Sequence, residues 1–201
     1  MKHPAPATPT VSRETRERLD AYMALLARWS EKINLVADPR PEHVWDRHVV
    51  DALQLIPLIP EATTRAIDLG SGAGFPGLVL AIATAIPFDL VESDQRKCAF
   101  LREAARITAA PAKIHACRIE AAQLEPAQLV TARALAALPE LLSLSARLVT
   151  PDGLLLFPKG RGVDAELTRA QAQWHMQVRR TASCTDPDAA ILQIRDLRRV
   201  A

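Results

Sequence analysis

Long apolar runs are missing from this chain of 201 residues. None reaches the roughly 18 residues of a membrane-spanning helix, so we expect no membrane partner. The amino terminus is rich in proline and lacks the apolar segment of a signal peptide. We therefore predict that residues 1–11 form a disordered lead and that the protein is cytoplasmic.

Cysteine is scarce, and no CxxC pair occurs among Cys98, Cys117 and Cys184. This spacing argues against a disulfide framework and against a zinc site, so no metal is predicted. No Ser/His/Asp triad or pair of catalytic carboxylates is evident either. The sequence therefore gives no sign of chemistry that depends on proton transfer.

Net charge is also small, at +2, and the basic surplus lies near the carboxyl terminus. Five arginines make up this surplus: Arg179, Arg180, Arg195, Arg198 and Arg199. They are compatible with a nucleic-acid partner, and equally with an ordinary solvated surface.

Residues 12–60 are predicted to form a helical cap, because apolar residues recur there at helical spacing over 12–33 and again after Pro41, until Pro57. From residue 61 onward, strands alternate with helices, which indicates an α/β domain with a mostly parallel sheet. The predicted strands are 65–69, 88–92, 113–117, 129–132 and 153–158, and the helices are 76–84, 95–107, 138–149 and 163–173. Two last strands, 175–182 and 190–195, are joined by a short turn and must pair antiparallel.

The positions of the glycines are the most informative feature of the sequence, since four of only seven glycines lie between positions 70 and 77. The stretch reads Ala-Ile-Asp-Leu-Gly-Ser-Gly-Ala-Gly-Phe-Pro-Gly (66–77), which is typical of a tight strand-to-helix turn that approaches a nucleoside cofactor.

Two cofactor classes fit this loop. Gly72, Gly74 and Gly77 match GxGxxG, and Glu92 lies 20 residues after Gly72, as in dinucleotide sites. The series Asp68-x-Gly70-x-Gly72-x-Gly74 instead matches sites for S-adenosylmethionine, where the acid can lie near the ammonium group but would repel a pyrophosphate. Together with the antiparallel sheet ending, this favours S-adenosylmethionine; a dinucleotide, or a loop that serves packing only, remain as alternatives.

Two further strand ends are candidates for cofactor contacts. Glu92 ends the second predicted strand, where its carboxylate would accept both ribose hydroxyls, unless it is an exposed strand-end acid. Arg118, Ile119 and Glu120 follow the third strand and would lie beside the adenine, unless they form an ordinary loop.

Four segments together resemble one family, RsmG (also called GidB), the bacterial methyltransferases of guanine N7 in 16S ribosomal RNA. They are the helix from Tyr22 to Trp29 with Lys-Ile-Asn-Leu (32–35), Asp-Arg-His-Val-Val-Asp-Ala-Leu (46–53), the cofactor loop with its Phe-Pro-Gly, and Thr-Ala-Arg-Ala (131–134) with Pro-Lys-Gly (158–160). Ser30, Ala52 and Ala132 depart from the residues usual in the family, and none of them lies in the cofactor loop.

The resemblance implies a class I, Rossmann-like S-adenosylmethionine-dependent methyltransferase fold. A seven-stranded, mostly parallel sheet with an antiparallel carboxyl-terminal hairpin would form a methyltransferase domain over 61–201, packed as one unit with the helical cap over 12–60. Combined with the loop pattern, it predicts this cofactor set: Asp68, Gly70, Gly72, Gly74, Phe75, Glu92, Ile119, Glu120 and Arg133. The expected partner is 16S ribosomal RNA or the small ribosomal subunit, and we expect a monomer.

Guanine N7 carries a lone pair and no proton, so positioning and electrostatics suffice for its methylation. Arg133 and Lys159, at strand ends, and Arg47 and His48, on the cap, are the candidate RNA-binding residues. Arg47 and His48 could instead form a structural cluster with Asp51, which lies within one helical turn. A small-molecule methyltransferase and a non-catalytic nucleotide-binding regulator are the competing functions.

Overall fold

The computed structural model describes residues 10–200, which form one seven-stranded sheet in the order β3-β2-β1-β4-β5-β7-β6. Its strands are β1 (Ala66–Leu69), β2 (Phe88–Glu92), β3 (Ala112–Ala116), β4 (Ala127–Ala132), β5 (Val149–Lys159), β6 (Trp174–Ala182) and β7 (Ala190–Arg199). The first five strands pair in parallel, and β7 runs antiparallel to both β5 and β6. The predicted mostly parallel sheet with an antiparallel hairpin is therefore confirmed.

Seven α-helices accompany these strands in the described part of the chain: α1 (Arg13–Ser30), α2 (Pro41–Val44), α3 (Val50–Leu53), α4 (Gly77–Thr84), α5 (Gln95–Ile107), α6 (Leu138–Ser145) and α7 (Val163–Gln171). Between residues 10 and 65 every regular element is helical, as predicted. The disordered lead predicted for residues 1–11 falls mostly on residues 1–9, which lie outside the described residues. No helix within 10–200 combines the length and apolar character needed to cross a membrane.

The second cap helix, predicted to follow Pro41, runs without a break over residues 41–53, but its middle turn is π-helical. A π-helical turn, Trp45–Val49, separates α2 from α3, and a 3-10 turn, Ile56–Leu58, follows. Pro57 lacks the backbone N–H that an α-helix would need there. The π turn has no proline to mark it, and such turns are frequent at functional sites.

β5 is longer than predicted, and α6 is shorter. Val149 pairs with Ala127 at the start of β4, so residues assigned to the end of a helix by periodicity are drawn into the sheet instead. The sheet continues to Lys159, which pairs with Ala190 of β7. This extension brings Lys159 to the edge where the other parallel strands end.

The core lies on both faces of the sheet. Leu154 and Leu156 pack with the cap helices and α4, whereas Leu155 and Phe157 pack with α6 on the opposite face. Successive strand residues point to opposite faces, so β5 serves both cores. The carboxyl ends of β1, β2, β4 and β5 are left along one edge, which is where open α/β sheets bind ligands.

Candidate active site

The glycine loop joins β1 to α4 in a conformation that favours glycine. Gly70, Gly72 and Gly74 have φ of 63°, 56° and 98°, in the left-handed region where other residues are strained. A Cβ atom on Gly70 would also lie 2.6 Å from Cδ1 of Leu135, in the segment after β4. The loop therefore keeps its backbone open toward the strand ends.

Asp68 anchors this loop from behind. Its side chain is fully buried, and Oδ1 accepts a 2.6 Å hydrogen bond from the Thr131 hydroxyl. Its Oδ2 lies toward Gly77 at the start of α4, where a Cβ would come within 2.7 Å of it. Asp68 is not among the residues that line the cavity described below, so its contacts are with the loop and with α4.

Burial raises the pKa of Asp68 to about 6, even though the Thr131 and Ser71 hydroxyls favour its charged form. A raised pKa means that the folded protein holds this proton more tightly than the unfolded chain does. The contribution of Asp68 to stability is therefore complete below its unfolded pKa, near 3.8, and is lost as the pH rises through about 6.

We expect the Asp68→Asn variant, measured against the wild type by urea unfolding, to gain relative stability over this interval. The difference in unfolding free energy should shift in favour of the variant by about 2 kcal/mol between roughly pH 4 and pH 7. Asp94→Asn is the control, because Asp94 is only partly buried and its pKa is lowered by hydrogen bonds from backbone N–H groups. A pH-independent difference for Asp68→Asn would contradict this account of its burial.

Two aromatic residues support the loop. The Tyr22 hydroxyl on α1 donates to the Ala73 carbonyl, and its ring packs at 5.6 Å, edge to face, against Phe75. Phe75 in turn lies 5.0 Å from the His48 ring and 5.2 Å from Cζ of Arg133. Phe75 therefore joins the cofactor loop to the candidate substrate residues.

Glu92, at the end of β2, holds the other side of the loop. Its Oε2 accepts the Gly72 N–H at 2.9 Å, and its Oε1 accepts the Asp94 N–H at 2.8 Å. Each carboxylate oxygen keeps acceptor capacity, and Glu92 lines the cavity, so its position suits the predicted bonds with ribose hydroxyls.

Replacing Glu92 with glutamine is expected to raise the Kd for S-adenosylmethionine about tenfold to a hundredfold, because charge-assisted hydrogen bonds are lost and an amide N–H₂ would face donors. Titration calorimetry measures this directly. Glu140→Gln is the matched control, since Glu140 lines the same cavity but makes no bond with the glycine loop. Equal affinities for wild type and Glu92→Gln would refute the assignment.

The segment after β3 forms the next wall. Ile119 and Glu120 lie in a 3-10 turn, and both line the cavity. Arg147 donates to the carbonyls of Ile119 (2.6 Å), Glu120 (3.3 Å) and Ala122 (3.0 Å). Nothing in the local sequence around Arg147 signals this role, because its partners lie more than 20 residues earlier.

These walls enclose a cavity of about 660 Å³, within the range of small-molecule sites. Among the predicted cofactor residues it is lined by Gly70, Gly72, Phe75, Glu92, Ile119, Glu120 and Arg133. Asp68 and Gly74 are the two that do not line it. A glycine cradle on one side and a strand-end carboxylate on the other suit a nucleoside with a charged amino-acid tail.

Arg133, at the end of β4, is the centre of a polar cluster beside this cavity. Its guanidinium lies 3.1 Å from Oδ2 of Asp51 and 3.0 Å from Nδ1 of His48. The alternative of a local cluster of Arg47 and His48 with Asp51 is not what the structure shows, because Asp51 pairs with Arg133. Arg47 is exposed and lines the cavity.

His48 is neutral at pH 7. Burial, together with the charges of Arg133 and Arg47, lowers its pKa to about 4. Since Arg133 donates to Nδ1, the remaining proton of the imidazole lies on Nε2. His48 is therefore a neutral hydrogen-bonding group that does not titrate near pH 7.

A second cavity of about 540 Å³ adjoins the first. Both are lined by the same four residues, Arg47, His48, Arg133 and Ala134. The second cavity is closed by Lys159 and by the loop 183–189 between β6 and β7. Lys159 bonds with Glu166 at 2.8 Å and with the Ala136 carbonyl at 2.9 Å. Three of the four predicted RNA-binding residues thus lie between the cavities, and Lys159 lines only the second.

A buried network ties this loop to the helical cap. Gln54 on the cap is fully buried; its Oε1 accepts the Cys184 N–H at 2.8 Å, and its Nε2 donates to Ser183 Oγ at 3.1 Å. The Thr185 hydroxyl donates to Asp51 at 2.8 Å. Sequence reasoning missed Gln54 and Thr185 because their contacts span about 130 residues.

Solved structures share this architecture. A cofactor-bound protein described as Rv0187 from MTB superposes with a TM-score of 0.59 at 11% identity, covering 90% of this chain and 91% of the other. The 16S rRNA N2 G1207 methyltransferase RsmC of T. thermophilus, in complex with AdoMet and guanosine, has a TM-score of 0.54 at 17% identity, with 82% and 40% covered. The chain therefore has the fold of the class I S-adenosylmethionine-dependent methyltransferases.

The sequence comparisons identify a particular family within this fold. The family model described as GidB, rRNA small subunit methyltransferase G, matches residues 15–192. Proteins named ribosomal RNA small subunit methyltransferase G are 54% identical in Rhodospirillum centenum (93% of this chain, 87% of the relative) and 55% identical in Acidiphilium cryptum (95% of each). The chain belongs to the rRNA small subunit methyltransferase G family, and its cofactor is S-adenosylmethionine. A dinucleotide cofactor and a packing-only loop are not supported.

Proposed function

We propose that this protein transfers the methyl group of S-adenosylmethionine to N7 of a guanine in 16S ribosomal RNA. One observation supports this most strongly: a cavity lined by the cofactor loop opens beside a second cavity, and Arg133 and His48 stand between them. Methyl transfer between two bound groups needs such adjoining sites. The names of the relatives point to small-subunit ribosomal RNA as the acceptor. Guanine N7 is the acceptor that the family resemblance implies, and the methyl donor rests on the site as well.

The donor supplies a methyl group on a sulfonium sulfur, and N7 accepts it with a lone pair while the S–CH₃ bond breaks. No proton needs to be removed, so a general base is unnecessary. This agrees with His48, which is neutral and does not titrate near pH 7. In our proposal the residues contribute by positioning.

In this proposal each group of residues around the first cavity has a separate role. Gly70, Gly72 and Glu92 would hold the cofactor, with Ile119 and Glu120 beside its adenine. Asp68 and Gly74 would shape the loop without touching the cavity. Arg133, bound to Asp51 and His48 and stacked on Phe75, would form a fixed cationic partition between cofactor and base.

The outer end of the sheet supports an RNA partner. Arg179 on β6 and Arg195 and Arg198 on β7 are exposed, and the strand register places them on one face. Within residues 10–200 none of these three forms an ion pair; Arg195 donates only to the Asp152 carbonyl. Unpaired cations on an exposed face are available to phosphates. Arg180 and Arg199 are engaged elsewhere, with Asp164 and with the Trp174 ring.

The test is transfer of labelled methyl groups from S-adenosylmethionine to three substrates: small ribosomal subunits lacking the modification, protein-free 16S ribosomal RNA, and large subunits. We expect label in the first or second and none in the third. Cofactor binding without label in any RNA would contradict the proposal and favour a regulator. Comparison of the first two substrates also decides whether naked RNA or the subunit is recognised.

A further inference from the structure

The chemistry of N7 methylation limits how the guanine can be held. Arginine and lysine commonly recognise guanine by donating to O6 and N7 together. Here such a bond would occupy the lone pair that must attack the methyl group. The base must therefore be bound through its opposite edge, where N1–H and N2–H₂ are donors. That edge requires an acceptor, and a carboxylate can accept both bonds at once.

Three carboxylates line the second cavity, and two are neutralised. Asp51 pairs with Arg133 at 3.1 Å, and Glu166 pairs with Lys159 at 2.8 Å. Asp186 differs, since no cation among residues 10–200 pairs with it. Its Oδ1 accepts the Asp188 N–H at 2.9 Å, which leaves Oδ2 and the negative charge of the group available.

Asp186 also stands in a loop that is held in place. Thr185 beside it bonds with Asp51, and the preceding Cys184 N–H bonds with the buried Gln54. On the other side, the Ala189 N–H donates to the Asp186 carbonyl at 3.0 Å. A group held in this way loses little conformational freedom when a ligand binds.

We propose that the second cavity binds the target guanine and that Asp186 accepts its N1–H and N2–H₂, so that N7 is left free and faces the first cavity. This inference rests on the proposed function and adds the residue that distinguishes guanine from other bases. The unneutralised carboxylate would also stabilise the positive charge that the purine gains on methylation. Adenine has no donors on this edge that match, so it would be rejected.

Binding of guanosine monophosphate and inosine monophosphate tests the inference, because inosine lacks only the N2 amino group. Calorimetry is performed with S-adenosylhomocysteine present, on wild type and on Asp186→Ala. Wild type is expected to bind the guanosine nucleotide about tenfold more tightly than the inosine nucleotide, and Asp186→Ala to bind both equally weakly. Asp188→Ala, in the same loop but outside the lining of the cavity, should retain the discrimination.

Methyl transfer to small subunits gives the second readout. Asp186→Ala is expected to lower kcat/KM about tenfold to a hundredfold, with an unchanged Kd for S-adenosylmethionine as evidence that the variant is folded. The inference is overturned if wild type does not discriminate between the nucleotides, or if Asp186→Ala still does. Failure of the proposed function would be seen separately, as wild-type enzyme that labels no ribosomal RNA.

Discussion

The Arg133→Ala variant is expected to lose about a hundredfold in kcat/KM for methyl transfer, the size expected when a charge-assisted contact is removed. Removing the guanidinium leaves Asp51 without its cation and His48 without its donor. Because Asp51 also accepts from Thr185, the loop over the second cavity should loosen at the same time. The Kd for S-adenosylmethionine is expected to rise less than kcat/KM falls.

A broken half-buried ion pair can also destabilise the fold, so the design separates the two effects. The double variant Arg133→Ala/Asp51→Asn removes the unpaired charge and should recover thermal stability without recovering activity. Arg161→Ala is the matched control, because Arg161 pairs with Asp188 at the surface and lines neither cavity. Arg133→Ala with wild-type cofactor binding and wild-type methylation would show that Arg133 has no part in the site.

Gly77→Ala is expected to have the largest effect on the fold around the cofactor. A Cβ at this position would lie 2.4 Å from Cβ and 2.6 Å from Cγ of Asp68. The Asp68 side chain cannot move aside, since it is buried in β1 and hydrogen-bonded to Thr131. The start of α4 must therefore move away from the strand, which we expect to cost about 2–3 kcal/mol in unfolding free energy and to weaken S-adenosylmethionine binding at least about tenfold.

Gly160→Ala provides the comparison for stability and cofactor affinity. No atom lies within 4 Å of a Cβ built at Gly160, and its φ is not in the left-handed region. We therefore expect Gly160→Ala to change the unfolding free energy and the Kd for S-adenosylmethionine very little. Urea unfolding and calorimetry of both variants test the claim, and equal stability of the two alanine variants would show that the contact between α4 and β1 is not tight.

Much of the cofactor side could be predicted from the sequence, because its signals are local. A glycine turn and the acids that end β1 and β2 stand at short, regular spacings, and strand-to-helix alternation places those strand ends along one edge. The antiparallel hairpin follows from two strands joined by a short turn. Even so, Asp68 lies behind the loop and not in the cavity, since local spacing does not say on which side of a strand a carboxylate is buried.

The acceptor side could not be predicted in the same way. Asp51 has Arg47 and His48 within one helical turn, yet it pairs with neither of them. It accepts from the nearby Gln54 amide, and its other partners are Arg133 and Thr185, separated from it by 82 and 134 residues. The π turn at Trp45–Val49 lies in this cap segment, and no residue type marks it in the sequence. The second cavity is therefore formed by long-range tertiary contacts. The local sequence around its residues gives no sign of a site.

The central claim is that the paired cavities bring the methyl group of S-adenosylmethionine to guanine N7. The most direct measurement is nucleoside mass spectrometry of small-subunit RNA after reaction with the wild-type protein and isotopically labelled S-adenosylmethionine. We expect the label in 7-methylguanosine at a single site, and its loss with Arg133→Ala. Label in a different nucleoside, or in 7-methylguanosine formed equally well by the variant, would contradict it.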